Sequence, residues 1–172
     1  MSPGSDERAQ EFEEFMNRFG SLYEHSPWIS EQVFEEGNVS ALGIDELHLN
    51  FRSVVMSAAM EQQFELLNSH PELACSQDDR TMLTAESRDE QSAAGLDQCT
   101  EEEFHEFSEL NQAYREKFGY PFIVAVKGCD RQEILEIFRE RLGNDPESEF
   151  VEALRQVCWI GRFRLEALFD EQ

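Results

Sequence analysis

The stretch TEEEFHEFSELNQAYREKFG, residues 100–119, decides the fold class. Phe104, Phe107, Leu110, Tyr114 and Phe118 recur every three or four residues, the stripe of an amphipathic helix. Thr100 and Glu103 form a capping box ahead of that stripe, and Gly119 and Pro121 stop it. The same period continues outward in both directions. Upstream, Phe12, Phe15, Met16 and Phe19 make one stripe ended by Gly20. Ser26 and Pro27 then open a helix carrying Trp28, Val33 and Phe34. A further helix starts near Ile44 with Leu47, Phe51, Val54, Val55 and Ala58, and a short one at 61–68 runs into His70 and Pro71. Residues 75–86 are polar and turn-like, and 87–94 read as a short helix ended by Gly95. Downstream, Asp130 and Glu133 cap a helix stopped at Gly143, and Asp145 with Pro146 starts the last one, toward Phe169. The expectation is an all-α, compact single-domain bundle of roughly seven or eight helices over residues 10–172, behind a flexible N-terminus at 1–9.

Charge narrows the function classes. The 172 residues carry 14 Lys and Arg against 37 Asp and Glu, a formal net charge of −23. Such a surface repels phosphate backbones and anionic lipid, so neither nucleic acid nor membrane is an expected partner. No apolar run approaches the roughly 20 residues of a membrane span. The polar, acidic opening MSPGSDERAQ is no secretory signal, and the reading is a soluble cytoplasmic protein. Only Lys117 and Lys127 are lysines. An acid-rich, lysine-poor surface suits concentrated salt, and it also fits an ordinary acidic protein. The four cysteines, 75, 99, 129 and 158, are too dispersed for a zinc site and read mostly as buried thiols.

Four places do not read as plain amphipathic helix. His70, held at a helix end ahead of rigid Pro71, is placed to present an imidazole that titrates near neutrality, although a satisfied core histidine fits as well. Ser87 and Glu90 have capping-box spacing, which leaves Gln91 and the small residues Ser92 to Gly95 unexplained. Phe122, Ile123, Val124, Ala125 and Val126 favour extended backbone but stand too isolated for a sheet. Their amides and carbonyls must find partners in a neighbouring loop, water or a planar ligand. Arg164 falls on the apolar stripe of the last helix with Phe150, Leu154, Val157, Gly161 and Leu168. A guanidinium there must snorkel, pair with an acid or bind an anion. Arg162 lies off that stripe and reads as surface, and His25, His48 and His105 read as structural or exposed.

Taken in order, these segments resemble the 2-oxo-4-hydroxy-4-carboxy-5-ureidoimidazoline (OHCU) decarboxylase family. The resemblance is carried by FGSLYEHSPW (19–28), HPELA (70–74), Ser87, Glu90 and Gln91 with AGL (94–96), and Phe107, Leu110, Asn111, Tyr114, Lys117 and Phe118 ahead of Phe122. Ile134 and Leu135, Arg141 and Leu142, and FRL (163–165) complete it, over about residues 11–168. Two stretches depart from the family pattern: IVAVKG (123–128) and CWI (158–160). The resemblance implies a cofactor-free, metal-free helical enzyme, usually a homodimer, that converts OHCU to (S)-allantoin and CO2 at the end of urate degradation. It implies catalytic roles for His70, Glu90 and Arg164. It implies substrate contacts from Pro71, Ser87, Gln91 and the backbone of Phe122, Ile123, Val124, Ala125 and Val126. A decarboxylase for a related ureido or hydantoin acid, or a helical interaction module without activity, are the alternative readings.

Overall fold

A computed structural model describes residues 3–37, 39, 41–73 and 80–171. Among them are eight α-helices and no strand. They are α1 (Pro3–Phe19), α2 (Pro27–Glu36), α3 (Ile44–Ser57), α4 (Met60–Ser69), α5 (Ala85–Ala93), α6 (Glu101–Phe118), α7 (Arg131–Leu142) and α8 (Pro146–Asp170), with a 3-10 turn at Leu96–Gln98. No helix among the described residues is long and apolar enough to cross a membrane. The all-α expectation is met. The chain divides into two compact units, residues 1–69 with 158–172, and residues 70–157, so the boundary falls inside α8.

In the first unit, Phe15, Phe19, Ile29, Val33, Leu47, Phe51 and Leu165 are buried, and Phe15, Phe19, Phe34 and Tyr23 cluster about Phe51 and one another. Helix α1 begins at Pro3, within the stretch that the sequence assigns to an N-terminal tail. Asp6 in the first turn and Arg18 in the last match the helix dipole, and residues 6–14 are exposed. Ser26 sits at the start of α2, but its hydroxyl donates to the Glu24 carbonyl (3.0 Å) instead of capping the helix.

The second unit centres on aromatic packing. Phe122 stacks on Phe138 at 3.8 Å, and Tyr114 meets Phe118, Tyr120, Phe122 and Phe138 edge-on or tilted. Capping boxes at Thr100 and Asp130 start α6 and α7 where the sequence puts them. The short helix α5 starts earlier than Ser87. Thr84 is its cap, accepting from the Ser87 amide (3.2 Å), which releases the Ser87 side chain from capping duty. Gly95 follows α5 with φ +79, and its carbonyl accepts from Arg131 Nη1 (3.0 Å). The small residues there admit a guanidinium from α7. Cys129 and Cys158 are free, while Cys99 is disulfide-bonded, which corrects the thiol reading for that residue. Cys75 lies outside the described residues.

The first unit also holds a tight approach. A Cβ on Gly161 would lie 2.4 Å from the Tyr23 hydroxyl, so α8 is seated against that phenol only because residue 161 lacks a side chain. Tyr23 is buried, its phenol pKa is pushed up by that burial, and its hydroxyl has no hydrogen-bond partner among the described residues. Gly161→Ala should therefore cost about 1–3 kcal/mol through overpacking. Adding Tyr23→Phe should recover most of that loss in urea melts. A single Gly161→Ala variant as stable as the parent would contradict the contact.

Candidate active site

His70 is the first residue beyond α4 and is buried. Pro71 fixes the direction in which the chain leaves the helix, and residues 70–73 are then held from two sides. The Leu73 carbonyl accepts from Asn111 Nδ2 (3.0 Å), and Glu72 pairs with Arg115 (2.8 Å), both on α6. From α5, Gln91 Nε2 reaches the Glu72 carbonyl at 3.4 Å. Gln91 and Ser87, one turn apart, are both buried, and Glu90 is half-buried beside them. The structure thus brings the Gln91 side chain to the backbone two residues past His70. Ala74, at the end of the HPELA stretch, lies outside the described residues.

The segment Phe122, Ile123, Val124, Ala125 and Val126 belongs to neither helix nor turn, and all but Ala125 are buried. Its backbone has definite partners. Arg141 Nη1 donates to the Ile123 carbonyl (2.5 Å), the Ala125 amide donates to Gln156 Oε1 (2.9 Å), and the Val126 carbonyl accepts from the Cys129 amide (3.0 Å). Arg141 also lies over the Phe122 ring at 4.6 Å. Its Nε and Nη2 grip Glu149 Oε1 at 2.9 and 2.6 Å, and Glu149 is wholly buried. Tyr114 donates its hydroxyl to the same oxygen (2.5 Å), and Asn144 Nδ2 donates to the other (2.9 Å). Burial and this carboxylate push the Tyr114 phenol far above its ordinary value, so it remains a donor at any working pH.

Arg164 belongs to the first unit. Of the three fates open to a guanidinium on an apolar stripe, it takes the acid. Nη2 meets Glu24 Oε1 at 3.1 Å and Nη1 the Leu22 carbonyl at 3.1 Å, with both side chains buried. Arg162 pairs with Asp45 (2.5 Å) and Glu166 (2.9 Å). His25 and His105 are exposed, as expected, and His48 is half-buried against Trp159. A cavity of about 470 Å³ in the first unit is lined by Phe15, Phe34, Phe169 and Arg18 among others. None of the candidate catalytic or substrate-binding residues lines it.

The sequence assigns no site role to Glu24, Arg141, Glu149 or Gln156, although Glu24 and Arg141 lie within the stretches that carry the family resemblance. Arg141 carries the signal that exposed Arg164, because it follows Ile134 and Phe138 at helical spacing and so lies on the buried face of α7. Glu149 carries none. An acid in the first turn of a helix is expected to face solvent and the dipole.

The family model described as OHCU decarboxylase matches residues 8–166, which sets the class as an all-helical carboxy-lyase. The OHCU decarboxylase of Halalkalicoccus jeotgali is 38% identical over 156 residues, 91% of this chain and 85% of that protein. That of Haloferax volcanii is 35% identical over 158 residues, 92% of this chain and 90% of that protein. The crystal structure of (S)-allantoin synthase superposes with a TM-score of 0.74 at 29% identity, covering 95% of this chain and 53% of that one. The chain belongs to the OHCU decarboxylase family.

A buried ion pair is expensive to break from one side. Glu24→Ala should remove the carboxylate that faces the buried Arg164 and cost about 3–5 kcal/mol, lowering the urea midpoint sharply. An unchanged midpoint would show that the pair contributes nothing to folding.

Proposed function

We propose that this protein decarboxylates OHCU to (S)-allantoin and CO2, using His70, Glu90 and Arg164 as its reacting and orienting groups. The observation that carries the reading is the buried Gln91 joined to the backbone just past His70, in a chain whose family match covers residues 8–166. The buried imidazole of His70 and the carboxylate of Glu90 on α5 are the proton-handling groups such a reaction needs.

The chemistry follows from the substrate. Its ring carries a carboxylate and a hydroxyl on one carbon, next to a ring C=N. When the bond to the carboxylate breaks, CO2 leaves and its electron pair moves into the C=N system. The hydroxyl proton is lost as that carbon becomes a carbonyl, the former C=N nitrogen takes up a proton to become N–H, and the neighbouring carbon takes a proton on one face, so one proton is consumed overall. His70 delivers that proton, and Glu90 orients the imidazole or accepts from the hydroxyl. Gln91, Ser87 and Pro71 hold the ring. The backbone of Phe122, Ile123, Val124, Ala125 and Val126 receives its ureido edge. Arg164, its fork fixed by Glu24 and the Leu22 carbonyl, orients the carboxylate. On a chain of net charge −23, capture of an anion requires such a local cation. The enzyme works in the cytoplasm as a homodimer with no bound cofactor or metal.

Circular dichroism of freshly made substrate tests the activity. Urate treated with uricase and hydroxyisourate hydrolase decays unaided to racemic allantoin. Addition of the protein should give a rapid (S)-allantoin signal, whereas a folded sample that leaves the decay racemic would refute the assignment. A signal obtained only with another ureido or hydantoin acid would move the substrate to that compound. His70→Ala should cut kcat by roughly 10²–10⁴-fold with little change in helicity. Retained turnover would exclude His70 as the proton donor. Arg164→Lys should raise KM roughly tenfold through loss of the planar fork.

A further inference from the structure

Residues 122–126 raise a question that the assigned roles leave unanswered: what holds a non-helical strip of backbone at fixed geometry inside a helical unit. The contacts answer it. The Ile123 carbonyl and the Ala125 amide, two residues apart, are both engaged, one by Arg141 Nη1 (2.5 Å) from α7 and the other by Gln156 Oε1 (2.9 Å) from α8. In extended backbone, alternate residues direct their N–H and C=O to the same side. Arg141 and Gln156 take the odd-numbered positions 123 and 125, and neither bond engages the amide or carbonyl of Val124.

Arg141 is itself fixed. Its Nε and Nη2 are locked on Glu149 Oε1, the Tyr114 hydroxyl donates to that oxygen, and Asn144 occupies the other. The guanidinium is buried and packed on Phe122. Gln156 is braced by its own bond to Glu152 (2.7 Å). A fork with its remaining donors committed cannot swing, so the donor that reaches Ile123 defines where the segment lies.

We infer that Arg141 and Gln156 are positioning residues that set the register of segment 122–126, so that its Val124 side is presented to the substrate. This rests on the proposed substrate contact of that segment. Neither side chain needs to touch the substrate. Lysine at 141 keeps the charge but loses the planar fork whose paired Nε and Nη2 grip on Glu149 aims Nη1 at the Ile123 carbonyl, and leucine at 156 keeps bulk without the acceptor.

The test compares Arg141→Lys, Gln156→Leu and the core control Ile134→Val with the parent by steady-state kinetics and amide hydrogen exchange, with and without (S)-allantoin. In the parent, (S)-allantoin should slow exchange within 122–126. Both positioning variants should keep their helical signal, raise KM about tenfold, hold kcat within about threefold and exchange faster at these amides. Ile134→Val should lose stability and keep the parental KM. Parental KM and exchange in the folded variants would overturn the inference, and if Arg141→Lys does not fold, Gln156→Leu decides alone. Failure of (S)-allantoin to protect 122–126 in the parent would overturn it differently. That result would remove the segment from the substrate site, whatever the variants do to exchange.

Discussion

Backbone that leaves helical geometry inside a helical core must find other partners for its amides and carbonyls, and residues 120–126 impose that demand on the second unit. The response is a buried polar network. Arg141 takes the Ile123 carbonyl, Gln156 takes the Ala125 amide, and Glu149 neutralises the guanidinium while collecting Tyr114 and Asn144. Both oxygens of Glu149 are bonded, so the buried charge is compensated by geometry as well as by sign. Phe122 and Phe138 then stack beneath the guanidinium. The last turn of α6 is fastened to the same region. Lys117 Nζ bonds the Leu142 and Asn144 carbonyls at 2.7 Å, satisfying the end of α7.

Net charge shapes the solution. In a chain with 37 acids and 14 cations, a buried guanidinium readily meets a carboxylate, and the first unit repeats the device with Arg164 and Glu24. The two pairs differ in what they hold. Glu149 fixes an arginine that supports a backbone strip, whereas Glu24 fixes an arginine proposed to meet an anion. In each case the acid immobilises the fork, and immobility is what a directional contact requires.

Helix boundaries were legible because their signals are local. The capping boxes at Thr100 and Asp130, Pro146 at the last helix start and the stripe through Phe107 and Tyr114 read directly from residue order. His70 was placed just past α4 by Pro71, and it lies there. The start of α5 lies earlier than the Ser87 spacing predicts, because Thr84 and Ser87 are both good caps and Thr84 takes the role. The partners of the site residues were not legible. Glu24 and Arg164 are 140 residues apart, and Arg141 and Ile123 are joined through a backbone atom that sequence does not distinguish. Side-chain type announces the need for a partner, while only the packed chain selects it.

The most direct test is a crystal structure with (S)-allantoin bound. Product lying against His70 and Gln91, with hydrogen bonds to backbone atoms of residues 122–126, is the predicted result. Product lodged instead in the aromatic cavity beside Phe15, Phe34 and Phe169, with residues 70–73 and 122–126 untouched, would contradict the account.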